Sequence, residues 1–184
     1  MLRSIVTRNT AFTRGFRTFA PALVQVGQAV PTASVHENSP GNSVNLAAET
    51  ASGKSIIVGV PGAFSPACSA SHAPGYIKLT KEFQAKGVSN IFIVAVNDAF
   101  VTKAWSEQLG NDADASHVRF IADASGAFSK EFGSLIDEAS KFFGNARTQR
   151  YAAIIENGKV KEAFVEPDNF GLEVSKAENV LKAL

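Results

Sequence analysis

Apolar residues recur along this chain in two rhythms. Three short runs, Ser55-Ile56-Ile57-Val58-Gly59-Val60, Ile91-Phe92-Ile93-Val94-Ala95-Val96 and Val118-Arg119-Phe120-Ile121-Ala122, are nearly continuous rather than alternating. That pattern predicts strands buried on both faces. Between the runs the apolar residues fall at helical spacing. Pro61-Gly62 closes the first run, Pro66 suits the first position of a helix, and Tyr76, Ile77, Leu79 and Phe83 carry the pattern toward Gly87. Pro74 predicts a kink or restart within it. Asp98 is placed to cap a second helix bearing Phe100, Val101, Ala104, Trp105 and Leu109, which Gly110 ends. Ala127 to Phe132 reads as a third helix, followed by a further apolar turn through Leu135 and Ile136.

The rhythm then changes. Tyr151 to Ile155 and Lys159 to Val165 flank Asn157-Gly158, the strongest short-range hairpin signal. Ser175 to Leu184 predicts a closing helix, with Ser175 as cap and Glu178 at capping-box distance. Upstream, from Ala20 to about Gly53, Pro, Ser, Asn and Ala predict extended pieces and turns. Strands alternating with helices, then a hairpin and a helix, describe one α/β domain: a central mixed β-sheet flanked by helices on both faces. The hairpin, where a flavodoxin-like sheet would add a parallel strand, favours a thioredoxin-like fold.

Composition supports a single buried core. The chain has 184 residues, 45% of them hydrophobic, enough to bury roughly two thirds of the unfolded surface. A net charge of +1 gives no electrostatic case for nucleic acid. No apolar run approaches the ~20 residues that span a bilayer. The charge is nevertheless uneven. All 17 acidic residues lie at or beyond Glu37, whereas the first 19 residues hold Arg3, Arg8, Arg14 and Arg17. Without those four, 14 basic residues face 17 acidic ones, a balance of −3. On a helix, Ile5, Phe12, Phe16 and Phe19 share one side and Arg3, Arg14 and Arg17 the other, with Arg8 departing from the division. This is the composition of a mitochondrial transit peptide. Arg17-Thr18-Phe19-Ala20 also resembles a matrix-protease cleavage site. The expectation is a presequence over residues 1–19, a domain over residues 20–184, and a mitochondrial matrix location. A disordered basic tail or a membrane-surface helix is the alternative. The C-terminal Lys182-Ala183-Leu184 is not the Ser-Lys-Leu peroxisomal address.

One cysteine excludes an internal disulfide and a zinc knuckle. Cys68 falls in the first turn of the helix that follows the first strand. Free N–H groups and the positive end of the helix dipole favour thiolate there, and thiolate is the nucleophile. Ser65, three residues earlier, places a hydroxyl on the same loop. Two other readings apply to the same residue. Cys68 is a neutral packing residue, or it pairs with His72 at i+4 around a metal, for which His36 and His117 lie at no ligand spacing. His72 itself reads as a helix-face residue that packs or donates a hydrogen bond.

The string Pro61-Gly62-Ala63-Phe64-Ser65-Pro66-Ala67-Cys68 resembles the active-site signature of peroxiredoxins. Gly59-Val60-Pro61, His72, Pro74-Gly75, Val96-Asn97-Asp98-Ala99-Phe100-Val101, Phe143-Gly144-Asn145 and Arg150 extend the likeness, over roughly residues 23–184, to the type II or fifth subgroup. The resemblance implies a thiol-dependent peroxidase for hydrogen peroxide and alkyl hydroperoxides, with Cys68 passing through a sulfenic acid. It makes Ser65 a hydrogen-bond partner of sulfur and peroxide, and Arg150 a fixed positive charge that favours thiolate and orients substrate. Arg147 matches that position less well. Pro61 shields the loop from water. Two departures matter. Ser65 stands where the family usually has Thr, which keeps the hydroxyl and removes one methyl. The resolving cysteine of many relatives falls here at Val174 or near Ile93, and neither is cysteine. The resemblance therefore implies a one-cysteine enzyme without a bound cofactor, whose reductant is an external thiol: glutathione, with or without glutaredoxin, or thioredoxin. It also implies a homodimer, with Phe64 and Phe143 near its surface, while Trp105, Phe100 and Val101 are expected in the core or on the site's rim. No nucleic acid or membrane partner is expected. Two other functions compete: a redox sensor that forms mixed disulfides with partner proteins, and a structural protein with an inert thiol.

Overall fold

The computed structural model describes residues 23–111 and 117–184. The expected presequence lies outside the described residues. The elements run β1 (Val35–Glu37), β2 (Ser39–Val44), α1 (Leu46–Glu49), β3 (Lys54–Val60), a π turn (Cys68–His72), α2 (Ala73–Lys78), α3 (Thr80–Ala85), β4 (Val88–Ala95) and α4 (Ala99–Gln108). There follow β5 (Val118–Ala122), α5 (Ala127–Glu131), β6 (Leu135–Ile136), a 3-10 turn (Asp137–Ala139) and α6 (Ser140–Phe143). The chain closes with β7 (Arg147–Thr148), β8 (Tyr151–Glu156), β9 (Lys159–Val165) and α7 (Ala177–Lys182).

Seven strands form one mixed sheet in the order β2-β1-β5-β4-β3-β8-β9, and β6 pairs with β7. The three continuous apolar runs are its centre: β3, β4 and β5 are parallel, β4 pairs with β3 along its whole length and β8 through Gly59. Pleating divides the core. Ile56, Val58 and Val60 pack with Tyr76, Phe83, Trp105 and Val180 on one face, while Ile57, Phe92, Val94 and Ile121 pack with Phe128, Phe132 and Tyr151 on the other. This is the thioredoxin-like α/β arrangement expected, with helices on both faces.

Several local expectations change. The segment after Pro66 is helical, and its first intrahelical bond runs from the Ser69 N–H to the Ser65 carbonyl at 3.0 Å. Pro74 follows a π turn in which the Ala73 N–H reaches back five residues to the Cys68 carbonyl. The wider turn makes room where proline cannot donate. Asp98 caps α4 as expected, accepting from the Phe100 and Val101 N–H groups at 2.9 and 3.0 Å. Leu135 and Ile136 are a strand rather than a helical turn, because Gly133 adopts φ 75° and turns the chain after α5. Ser175 does not cap α7. Its hydroxyl donates instead to Glu166 at 2.7 Å, and Lys176 holds the cap position without a side-chain bond. The segment read as extended pieces and turns holds the β1–β2 hairpin and a short helix capped by Asn45.

Candidate active site

The site forms where the loop after β3 meets the open end of the β8–β9 hairpin. Arg150 lies one residue before β8. Ala152 and Ile154 face the helices of the Cys68 side, so alternation points Arg150 the same way. Its backbone is held on both sides: the Arg150 N–H donates to the Asn169 carbonyl at 2.9 Å, and the Glu166 N–H donates to the Arg150 carbonyl at 3.0 Å. The guanidinium then meets three acceptors. Nε donates to the Phe170 carbonyl at 2.9 Å, and Nη1 donates to Cys68 Sγ at 3.3 Å and to His72 Nδ1 at 3.2 Å.

Cys68 is fully buried and, as the third helical residue after Ser65, lies among the backbone N–H groups that a helix leaves unpaired. His72 is buried beside it. Its Nε2 lies 3.0 Å from the Ser175 carbonyl, which also accepts from the Tyr76 hydroxyl at 2.7 Å. A carbonyl only accepts and a guanidinium only donates, so both neighbours require the neutral tautomer with its proton on Nε2. Burial, and then the charge of Arg150, lower the imidazole from 6.5 to about 3. The expectation that His72 donates a hydrogen bond holds, and its second nitrogen has the further task of holding Arg150.

Ser65 and Pro61 are where the motif puts them, with one difference. The Ser65 hydroxyl donates to the Gly62 carbonyl at 2.9 Å instead of turning to the sulfur. Pro61, Ser65, Pro66, Ala67 and Arg150 line a cleft of about 390 Å³, whose remaining wall is Phe142, Phe143 and Phe170. Phe142 is 78% exposed and meets Phe170 edge to face. Arg147, the other arginine considered, holds the loop rather than the sulfur. It donates to Asn97 Oδ1 at 3.0 Å, which also accepts from the Ala63 N–H at 3.0 Å, and it lies over the Phe143 ring. Of the α4 residues, Trp105 is core and donates to Ser69 Oγ at 2.9 Å, while Phe100 is 65% exposed.

Sequence reasoning missed Glu166, Phe142 and Phe170. No local pattern marks the two aromatics. For Glu166 there was a signal of a kind, an acid directly after a strand otherwise closing on apolar residues.

Residues 25–181 match the Redoxin family. Peroxisomal membrane associated protein 20 of Schizosaccharomyces pombe is 46% identical over 88% of this chain and 100% of its own length. Peroxiredoxin-2D of Arabidopsis thaliana is 40% identical over 89% and 99%. Among solved structures, reduced Prx3 from Vibrio vulnificus in complex with hydrogen peroxide aligns with a TM-score of 0.78 at 40% identity, covering 88% of this chain and 99% of that one. Peroxiredoxin 5 from Alvinella pompejana aligns at 0.75 and 32% identity, covering 87% and 97%. A single thiol in a seven-stranded thioredoxin-like sheet, together with this kinship, makes the chain a member of the redoxin family, a peroxiredoxin of the one-cysteine kind and hence a thiol-dependent peroxidase.

Proposed function

We propose that Cys68 is the attacking thiol and that Arg150, Ser65 and Pro61 complete its catalytic set. The observation that carries this is the 3.3 Å contact between the chain's one cysteine sulfur and Nη1 of Arg150, a residue that lines the cleft. The thiolate attacks one peroxide oxygen. An S–O bond forms as the O–O bond breaks, and the other oxygen departs as hydroxide or alkoxide and takes up a proton. Arg150 stabilises the negative charge on sulfur and then on the departing oxygen. Ser65 commits its proton to Gly62, leaving its oxygen to accept from a peroxide O–H. Pro61 excludes water from the buried side.

The product is a sulfenic acid on Cys68. An external thiol condenses with it, releasing water and forming a mixed disulfide. A second thiol then frees Cys68 and leaves as part of a new disulfide. Glutathione, with or without glutaredoxin, and thioredoxin are the candidate donors. Purified protein is expected to consume hydrogen peroxide and alkyl hydroperoxides with such a donor, and Cys68→Ser to abolish turnover; persistence of turnover in that variant overturns the assignment. The lack of a second cysteine also favours a second reading, a redox sensor that hands its oxidation to partner proteins. Fast oxidation by peroxide without multiple turnover by any of the three donors selects it.

Exposed Phe64, at φ 61°, and half-buried Phe143 beside the cleft support a side-by-side homodimer. The arginine-bearing, acid-free residues 1–19 support delivery to the mitochondrial matrix. Fusion of residues 1–22 to a fluorescent protein tests this, and diffuse or peroxisomal signal counts against it.

A further inference from the structure

Behind Arg150 the buried polar groups form one continuous chain. The carboxylate of Glu166, itself 1% exposed, uses Oε1 to accept from the Ser175 N–H at 2.8 Å, the Ser175 hydroxyl at 2.7 Å and the Glu173 N–H at 2.9 Å. Three donors on one oxygen fix the Glu173–Ser175 backbone and therefore the direction of the Ser175 carbonyl. That carbonyl takes the Nε2 proton of His72, and the lone pair this leaves on Nδ1 takes one proton of Arg150 Nη1. The other proton of the same Nη1 points to Cys68 Sγ. We propose that Glu166 and His72 are positioning residues for the peroxidase reaction: Glu166 sets the Ser175 carbonyl, the carbonyl sets the His72 tautomer, and His72 sets the aim of Arg150 at the sulfur.

Of Cys68, His72, Glu166 and Arg150, only Arg150 lines the cleft, and of His72 and Glu166 only His72 contacts the guanidinium. Their effect must therefore pass through the guanidinium. Without His72 the guanidinium keeps its charge and its Nε bond to the Phe170 carbonyl but loses the second anchor that fixes the Nη1 N–H on sulfur, and an oriented charge-assisted bond in a dry site is worth far more than the same charge at large. The groups facing His72 are Cys68 and Tyr76 from its own helical segment, Arg150 from the start of β8, and the Ser175 carbonyl with Glu166 behind it. Glu178 of α7 acts on the neighbouring Tyr76 phenol. Of these only Arg150 touches both His72 and the sulfur, so it is the route by which a change at His72 is felt at Cys68.

The proposal rests on Cys68 being the attacking thiol, and the pH dependence of the peroxide rate constant tests it separately. His72→Phe keeps a ring against Tyr76 and removes both nitrogens. It is expected to lower the rate constant for hydrogen peroxide at pH 7 about tenfold or more and to move the half-maximal point of the pH–rate profile upward. Glu166→Ala is expected to move that point the same way by less, and Glu166→Gln, which keeps an oxygen acceptor, to restore it toward the wild type. A profile that keeps its half-maximal point in folded His72→Phe and Glu166→Ala overturns the proposal, even if the rate falls evenly at all pH values. Nitrogen-15 NMR of the reduced, full-length protein carrying His36→Gln and His117→Gln, so that His72 is the only imidazole, reads the tautomer directly and requires no change at His72 or Glu166. A proton on Nε2 alone at pH 7 is expected, and a proton on Nδ1 overturns the proposal. If the wild type consumes no peroxide, it is the assignment of Cys68 that fails.

Discussion

Arg150 distributes one guanidinium over a backbone carbonyl, an imidazole and a thiol, and that division determines what a substitution there would do. Arg150→Lys keeps the charge and loses the planar fork, so a single ammonium cannot serve Cys68, His72 and Phe170 together. Stopped-flow oxidation of this variant by hydrogen peroxide is expected to be about 10- to 100-fold slower than the wild type, with the fold unchanged by circular dichroism. His72 contributes to pH stability with a definite sign. Its imidazole is held at about 3 in the folded protein against 6.5 when unperturbed. The unfolded chain therefore binds a proton that the native state refuses between those values. The stability this supplies is complete above about pH 6.5 and is lost as the pH falls toward 3, at up to about 1.4 kcal/mol per pH unit. Urea unfolding between pH 7 and pH 4 is expected to show this slope in the wild type and a shallower one in His72→Phe. Cys68, Ser65, Pro61 and Arg150 were legible in the sequence because a contiguous motif and one matched arginine carry them. The groups behind His72 were not legible, because Ser175 acts through its carbonyl and Glu166 is held largely by backbone amides, which leave no mark on residue type.

At the scale of elements, Gly59 shows how tightly the centre of the sheet is set. It pairs across β3 and β8 with Tyr151, and a Cβ at this position would collide with the tyrosine ring. Gly59→Ala is expected to cost about 3 kcal/mol and to lower Tm by roughly 6–12 °C in thermal denaturation. Asp98→Ala, which removes only a cap from α4, is expected to cost about 1 kcal/mol. The central strands and the Asn157-Gly158 hairpin were readable because burial on both faces imposes continuous apolar runs and a tight turn imposes its own residues. β2 was not, since Ser39-Pro40-Gly41-Asn42-Ser43 is an edge strand exposed along most of its length, where nothing demands an apolar pattern. The two-residue β6 is too short to show a period. Ser175 misled for a different reason. A serine ahead of a helix is ordinarily its cap, but here a carboxylate nine residues upstream competes for the same hydroxyl and is favoured because both groups are buried.

For the whole molecule, the proposed homodimer predicts that Phe64→Glu moves the sedimentation of the native protein from dimer to monomer. Unchanged sedimentation would exclude this face. The fold also controls when the proposed site comes together. Cys68 meets Arg150 across 82 residues of sequence, Arg150 meets His72 across 78, and His72 meets Ser175 across 103. Those separations join the loop after β3, the mouth of the last hairpin and the segment ahead of the final helix. No fragment that lacks the C-terminal third can assemble them. A chain still being synthesised, or one unfolded by heat or acid, thus lacks the contact of Arg150 with the sulfur, and with Cys68 as the proposed attacking thiol its site is assembled only when the last strands close against the first. On that assignment, peroxide met before that moment finds no assembled site to react with.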